Sequence, residues 1–199
     1  MKYRIEAPPS GVNYWTWASL IVPRPIALVS TLSADGVPNI APFSSLACIS
    51  NDPPLIGLSF GAGRVDAKRT LTNILETGEF CANLVTTGLR PAMMEAAKTS
   101  PAGDDFLRLG LRAEPMETVS CSRIVQSPAT VACKLLKTVD LSPADVTFVI
   151  ARVVEVAIDD SFVRNGSFAS YQANIIASTG VEDYITLQGE AFHLARTWD

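Results

Sequence analysis

The chain has 199 residues, 48% of them hydrophobic and 18% charged, with a net charge of −4. That apolar content excludes a disordered chain, because enough surface can be buried to offset the entropy of ordering, and the mild negative charge gives no general attraction to nucleic acid. At roughly 100–200 residues per domain, one domain spanning 1–199 is expected, and a charged fraction below the usual ~25% implies that some apolar surface is buried against another subunit.

The longest apolar stretches, 18–22 and 25–29, are interrupted by Pro23, Arg24 and Pro25. They fall short of the roughly 18 continuous apolar residues of a membrane-spanning helix, so no membrane association is expected. The opening Met1-Lys2-Tyr3-Arg4-Ile5-Glu6 lacks the apolar segment of a secretion signal, which points to the cytoplasm. Cys48, Cys81, Cys121 and Cys133 are scattered without a CxxC pair, and His193 is the one histidine. An ordinary zinc site is therefore not expected, and buried free thiols are the plain reading. With so little base chemistry available, an enzyme of this composition leans on a bound cofactor.

In chain order, residues 25–33 read as a strand, turned by Ala34-Asp35-Gly36, and residues 39–50 as the returning strand, small-residue-rich and carrying Pro42. Asn51-Asp52-Pro53-Pro54 ends it, 55–60 is a third strand, and Gly61-Ala62-Gly63 reads as a linker rather than a nucleotide fingerprint. A helix follows with Asp66 as candidate N-cap, Leu71, Ile74 and Leu75 on one face, and Gly78 as its stop. Its first turn carries Lys68, Arg69 and Thr70. Positive side chains there oppose the helix dipole at a cost of a few tenths of a kcal/mol. Either an anion bound at that end or pairing with Asp66 and Glu76 would account for them.

Residues 80–86 read as a strand, 91–100 as a second helix with Met93, Met94, Ala96 and Ala97, and 101–105 as a polar excursion. The stretch 107–116 reads as the least regular part of the chain. Strands follow near 123–125, 130–136 and 147–158, the last long enough to bend. Short strands with turn signals and two early helices predict a barrel-like antiparallel sheet.

Several segments in register then form a resemblance: Arg24-Pro25-Ile26-Ala27-Leu28-Val29-Ser30-Thr31, Asp35-Gly36, Asn39-Ile40-Ala41-Pro42-Phe43-Ser44-Ser45, Asp52-Pro53-Pro54, Lys68-Arg69-Thr70, Asn73-Ile74 and Asn83-Leu84-Val85. Over residues 20–90 the chain resembles the flavin reductase-like family with the FMN-binding split barrel. The resemblance implies a mainly β fold, an antiparallel six-stranded split β-barrel with a few flanking helices. The core would cover about 20–160, with 161–199 as an extension. It also implies a homodimer holding FMN near the interface. Lys68, Arg69 and Thr70 would meet the phosphate. Ser30, Thr31, Ser44 and Ser45 would contact the ring or ribityl chain, although a regular strand cannot turn both Ser44 and Ser45 to one side.

Two departures stand out. Lys68-Arg69-Thr70 stands where the family often has Lys-Asp-Thr, and Leu46-Ala47-Cys48 stands where aromatic residues are common. Cys48 could thus lie near the flavin or be a small buried hydrophobe. Tyr171, His193, Arg196 and Trp198 are candidates for shaping a second substrate's site. The implied activity is an NAD(P)H:flavin oxidoreductase, with NADH or NADPH as hydride donor. Electrons would leave to free flavin, a small molecule or a monooxygenase component; catalytic side chains stay unassigned. The alternative is an FMN-binding storage or electron-transfer protein without nicotinamide turnover.

Overall fold

In β2 (Ala27–Leu32), alternation sends Ala27, Val29 and Thr31 to one face and Leu28 and Ser30 to the other, and all five are buried. Both faces are covered, so apolar residues fall on both sides of the strand. Ala27 and Val29 join an interior cluster with Phe43, Leu58, Phe60, Ile74 and Phe80. Leu28 joins an outer one with Ile26, Ile40, Val85, Leu89 and Met93. The structure is a computed structural model describing residues 1–61, 65–98, 101–180 and 182–188.

Gly36, at φ +80°, completes the expected turn by donating its N–H to the Ser33 carbonyl at 2.9 Å. The returning segment then departs from the sequence reading. It is two strands, β3 (Pro38–Phe43) and β4 (Ala47–Asn51), separated by residues 44–46. β3 pairs with β2, whereas β4 pairs with β5 (Pro54–Gly61). Further along come α1 (Val65–Thr77), β6 (Glu79–Leu84), α2 (Arg90–Ala96), α3 (Asp105–Arg108), β7 (Ala113–Glu114), β8 (Arg123–Ile124), β9 (Ala129–Asp140) and β10 (Val146–Ile158).

The main sheet is antiparallel, with order β3-β2-β6-β9-β10-β5-β4. Its two outer strands are consecutive in the chain and joined by three residues. The sheet must therefore roll until its edges meet, giving a barrel split along the line between β3 and β4. The strand count is seven rather than the expected six, because the 39–50 run divides. β10 bends as expected, through register shifts at Ile150/Ala151 and Val153/Glu155.

Beyond β10, β11 (Val163–Arg164) and β12 (Ser167–Phe168) form a small ribbon. β13 (Ile176–Ser178) lies between β1 (Arg24–Pro25) and β14 (Tyr184–Thr186). The Arg24 guanidinium donates to Ser178 Oγ at 3.1 Å and to the Gly180 carbonyl at 2.8 Å. The segment expected to be an extension thus folds back onto the start of the barrel.

α1 begins at Val65, so Asp66 lies inside the helix rather than capping it. Gly78, at φ +74°, ends it by donating to the Ile74 carbonyl at 2.9 Å. Thr70, Asn73 and Ile74 are buried and Leu71 is half-buried, but Leu75, expected on that face, is 53% exposed. At 100° per residue it has turned past the packed stripe.

The single turn α3 starts at the last residue of the stretch read as a polar excursion and runs into the one read as least regular. Asp104 caps it by accepting from the Leu107 N–H at 3.2 Å. The buried Asp105 accepts from the Ile40 N–H at 2.8 Å and from Arg108 Nε at 2.8 Å. Since Ile40 aims its N–H away from β2, residues 38 and 42 aim the same way, and both are proline. The open edge of β3 therefore has few free donors, which explains Pro42 in a strand. Asp105→Ala should cost about 2–3 kcal/mol in urea unfolding, because it strands a buried N–H.

Residues 116–122 cross the sheet as a strap over Cys81 and Ala132. Two carboxylates tie it down. Glu79 accepts from Ser120 N–H at 2.7 Å and Ser120 Oγ at 2.6 Å, and Glu155 accepts from Thr118 N–H at 2.9 Å and Thr118 Oγ at 2.8 Å. Desolvation opposes ionisation of both, but these bonds outweigh it and hold both carboxyls below the usual range, with Lys134 adding to Glu79. A lowered folded pKa gives stability that is present above the unfolded value, ~4.3 for Glu, and lost as pH falls through the folded one. As acid protonates the two carboxyls, protection of the Thr118 and Ser120 amides, taken relative to their intrinsic exchange rates, should fall more than that of Ala132 beneath.

Candidate functional site at the barrel split

The split resolves the conflict between the two serines. The strand ends at Phe43, so Ser44 and Ser45 belong to a connector rather than to alternating strand positions. Ser45 turns to β5, where its Oγ donates to the Ser59 carbonyl and accepts from the Ser59 N–H, each at 3.1 Å. Its hydroxyl stands in for a missing strand neighbour. Ser44 instead lines an open cleft of about 630 Å³. Phe43, Ile26, Met93 and Ile176 form its apolar floor, while Arg90, Glu182, Asp183 and Tyr184 stand around it. Such a volume suits a drug-sized ligand or a flat ring system.

Ser30 and Thr31 are placed differently from the sequence expectation. Ser30 Oγ is buried, donating to the Ser122 carbonyl at 2.7 Å and accepting from Asn83 Nδ2 at 3.1 Å. Its hydroxyl is thus committed within the barrel wall. Asn83 also donates to the Leu28 carbonyl at 2.8 Å and accepts from Ile124 N–H at 2.8 Å and Thr130 Oγ at 2.9 Å. All four hydrogen-bonding positions of that amide are used.

Thr31 lies on the opposite face, 1% exposed, accepting from Asn73 Nδ2 at 2.9 Å. Asn39 Nδ2 reaches Thr70 Oγ at 2.9 Å. Thr31, Asn39, Thr70 and Asn73 therefore form a buried polar group that seats α1 on the β2–β3 hairpin. This is a positioning role for Thr31 and Thr70. Lys68, on the same turn of α1, is exposed, and Arg69 is half-buried. No ion pair joins Lys68 to Glu76 among the described residues.

The basic turn lies over the Asn39 end of β3, and Ser44 follows its Phe43 end. At roughly 3.3 Å per residue the two ends are about 13 Å apart. A ligand touching both must be extended, with an anion at one end and an apolar body at the other. The donor set fits that description: cationic side chains at the α1 turn, a free hydroxyl and apolar floor at the split.

Cys48 is exposed on β4, opposite Ile56, and does not line the cleft, so it is not the small buried hydrophobe of the second expectation. Among the described residues, no layer covers edge strand β4 there. Cys81, Cys121 and Cys133 are buried free thiols, as expected. Cys81 and Cys121 Sγ atoms are 3.5 Å apart, and that shared hydrogen bond and burial push the Cys81 thiol well up. Burial does the same for Cys133. These thiols are packing groups.

Tyr171 is 42% exposed on a surface turn and is not among the cleft-lining residues. His193, Arg196 and Trp198 lie outside the described residues. The sequence reading missed Arg90, whereas Glu182, Asp183 and Tyr184 belong to the 180–184 segment that the resemblance brings toward the flavin or nicotinamide side. The signal for the asparagine networks was present, since Asn39 and Asn83 are poor strand formers amid apolar neighbours.

The fold and the split define an antiparallel split barrel of the flavin reductase kind. Residues 19–179 match the Flavin reductase like domain model, and the chain belongs to that family. It is 30% identical over 196 residues to an uncharacterized protein of Aquifex aeolicus (strain VF5), covering 96% of this chain and 97% of that one. Nitrilotriacetate monooxygenase component B from Bacillus cereus superposes with TM-score 0.84 at 25% identity, covering 98% of each chain. An FMN-binding protein from Thermus thermophilus, solved with p-hydroxybenzaldehyde bound, gives TM-score 0.74 at 19% identity, covering 98% of this chain and 99% of that one.

Proposed function

We propose that this protein is an FMN-binding oxidoreductase that uses NADH or NADPH as hydride donor and passes the electrons to a flavin, a small molecule or a monooxygenase component. The observation that carries this reading is the split: Ser45 is locked to β5, while Ser44 is left at the mouth of an apolar cleft. Family membership, the likeness to the Bacillus monooxygenase component and the likeness to the Thermus FMN-binding protein support it. Bound FMN would supply a hydride-accepting ring, which suits a chain with one histidine.

In this reading Lys68 and Arg69 hold the phosphate by charge-assisted hydrogen bonds. Thr70 and Asn39 fix the height of that turn above the hairpin. Ser44 orients the ring edge, and Phe43 and Met93 keep water from its apolar part. The test is an absorbance spectrum of the purified protein with FMN added, followed by anaerobic NADH or NADPH. Flavin bound and bleached by either coenzyme is expected. No flavin binding would remove the cofactor reading, and bound flavin that neither coenzyme bleaches would leave a storage or electron-transfer protein.

A homodimer belongs to the same proposal. Ile49 on β4, Leu136 on β9 and Val156 on β10 are 44%, 55% and 53% exposed on three strands of the main sheet. Large apolar side chains left in water on sheet strands are candidates for burial against a second copy. Light scattering after gel filtration should give twice the 21.3 kDa chain mass. Leu136→Glu with Val156→Glu should shift the mass toward the monomer.

A further inference from the structure

The strap of residues 116–122 lies in the loop that joins β7 to β8, closed at its base by the pairs Ala113–Ile124 and Glu114–Arg123. Among the described residues, no backbone–backbone hydrogen bond ties 115–122 to the sheet beneath. Side chains hold it instead. Met116 and Val119 pack on the sheet, Glu79 accepts from Ser120, and Glu155 accepts from Thr118 and from the Glu117 N–H at 3.0 Å. A segment fixed in this way can lift without unzipping a strand, which puts it at the low end of local stability.

Beneath the strap, Cys121 meets Cys81 of β6. Their Sγ atoms are 3.5 Å apart, and the Cys81 thiol also reaches the Cys121 carbonyl at 3.6 Å, so the two residues face each other directly. A disulfide needs an S–S distance of about 2 Å, so closing from 3.5 Å takes a movement of about 1.5 Å. An irregular loop can supply that, whereas two paired strands could not without distortion. Cys133 is no competitor. It belongs to the interior cluster on the other face of the sheet, because it follows Ala132 of the strap-side cluster and successive strand residues alternate.

We propose that Cys81 and Cys121 form a reversible disulfide that latches the strap to β6, with hydrogen peroxide as the oxidant. With the strap closed the pair is inert: the hydrogen bond from Cys121 and burial keep the Cys81 thiol protonated, and the thiolate is the nucleophile. Lifting the strap wets the pair and lets one thiol ionise. Its sulfur attacks a peroxide oxygen, the O–O bond breaks, and the departing hydroxide takes up the released proton as water, leaving a sulfenic acid. The second thiol attacks that sulfur, the S–S bond forms, the S–O bond breaks, and a second water leaves with the thiol proton. Two electrons pass from the thiol pair to the peroxide. Once latched, the strap is joined covalently to the strand that Asn83 already ties to β2, β8 and β9. None of this depends on a bound flavin.

The test uses the full chain carrying Cys48→Ser, which removes the exposed thiol. After hydrogen peroxide treatment and alkylation of the remaining thiols in denaturant, peptide mass spectrometry should find Cys81 linked to Cys121 and Cys133 alkylated. Dithiothreitol should restore both thiols. Oxidation should raise the urea midpoint by about 1 M, and Cys121→Ala, which keeps an apolar group in the cluster, should abolish both the linkage and the shift. Glu155→Ala releases Glu117 and Thr118 and should speed linkage by about 10-fold, because the open strap is then more populated. Linkage to Cys133, cross-linked dimers, sulfinic acid without linkage, no reaction in Glu155→Ala, or a rate that this variant leaves unchanged would overturn the latch.

Discussion

Lys68→Ala combined with Arg69→Ala is expected to weaken FMN binding by about 100-fold. Two charge-assisted hydrogen bonds to a phosphate, at about 1.5 kcal/mol each, amount to about 3 kcal/mol, or roughly two decades in Kd. Quenching of flavin fluorescence on titration gives the number directly. Lys68 is exposed and Arg69 half-buried, so the loss should not come from unfolding. The unfolding free energy of the FMN-free variant should lie within about 1 kcal/mol of the parent's. Salt provides a second readout. Raising ionic strength should weaken FMN binding to the parent more than to the variant, because the screened charges are absent from the latter. Unchanged affinity would move the phosphate site away from α1.

Asn83→Ala is expected to be the most damaging of the single substitutions, costing roughly 3–5 kcal/mol in unfolding free energy. The side chain joins β6 to the Leu28 carbonyl and Ser30 of β2, to Thr130 of β9 and to the Ile124 N–H of β8. Alanine leaves several buried polar groups without partners. For a chain of this size the urea midpoint should fall by roughly 2 M. Ser30→Ala removes one partner of the same amide and should cost only about 1 kcal/mol. It should leave FMN affinity within twofold of the parent. A large loss of FMN affinity in a stable Ser30→Ala protein would restore that residue as a ligand contact.

The contrast between Ser30 and Ser44 shows how far a sequence can be read. Alternation and turn chemistry are local, so the hairpin around Gly36, the helix ended by Gly78 and the mainly β class were legible. The family pattern made both serines candidates, but burial decides between them. That decision depends on residues 122 and 83, far away in the chain. The division of residues 39–50 was hidden for a similar reason. A small-residue run looks equally extended whether it keeps one partner strand or exchanges β2 for β5. Leu75 and Asp105 mark the same limit at the scale of one helical turn. Periodicity gave the packed face of α1 to within one residue, whereas Asp105 looks like loop polarity until Ile40 is found beside it. The cleft depended on residues 182–184 returning to meet Arg90, which no local pattern encodes.

The connector of residues 44–46 has one more consequence, for how this barrel can change over time. Its three residues span the gap between the two outer strands, so its length fixes how far the barrel closes, while its side chains divide between holding the wall and facing the cleft. Composition and length are thus under different constraints. Position 44 can be exchanged to suit a new ligand with little effect on folding, since its hydroxyl anchors nothing in the wall. An added residue at the same place would push Ser45 away from Ser59 and slacken the whole cylinder. Variation in ligand preference should therefore accumulate here by substitution, and insertions should be confined to the turns at the barrel's ends.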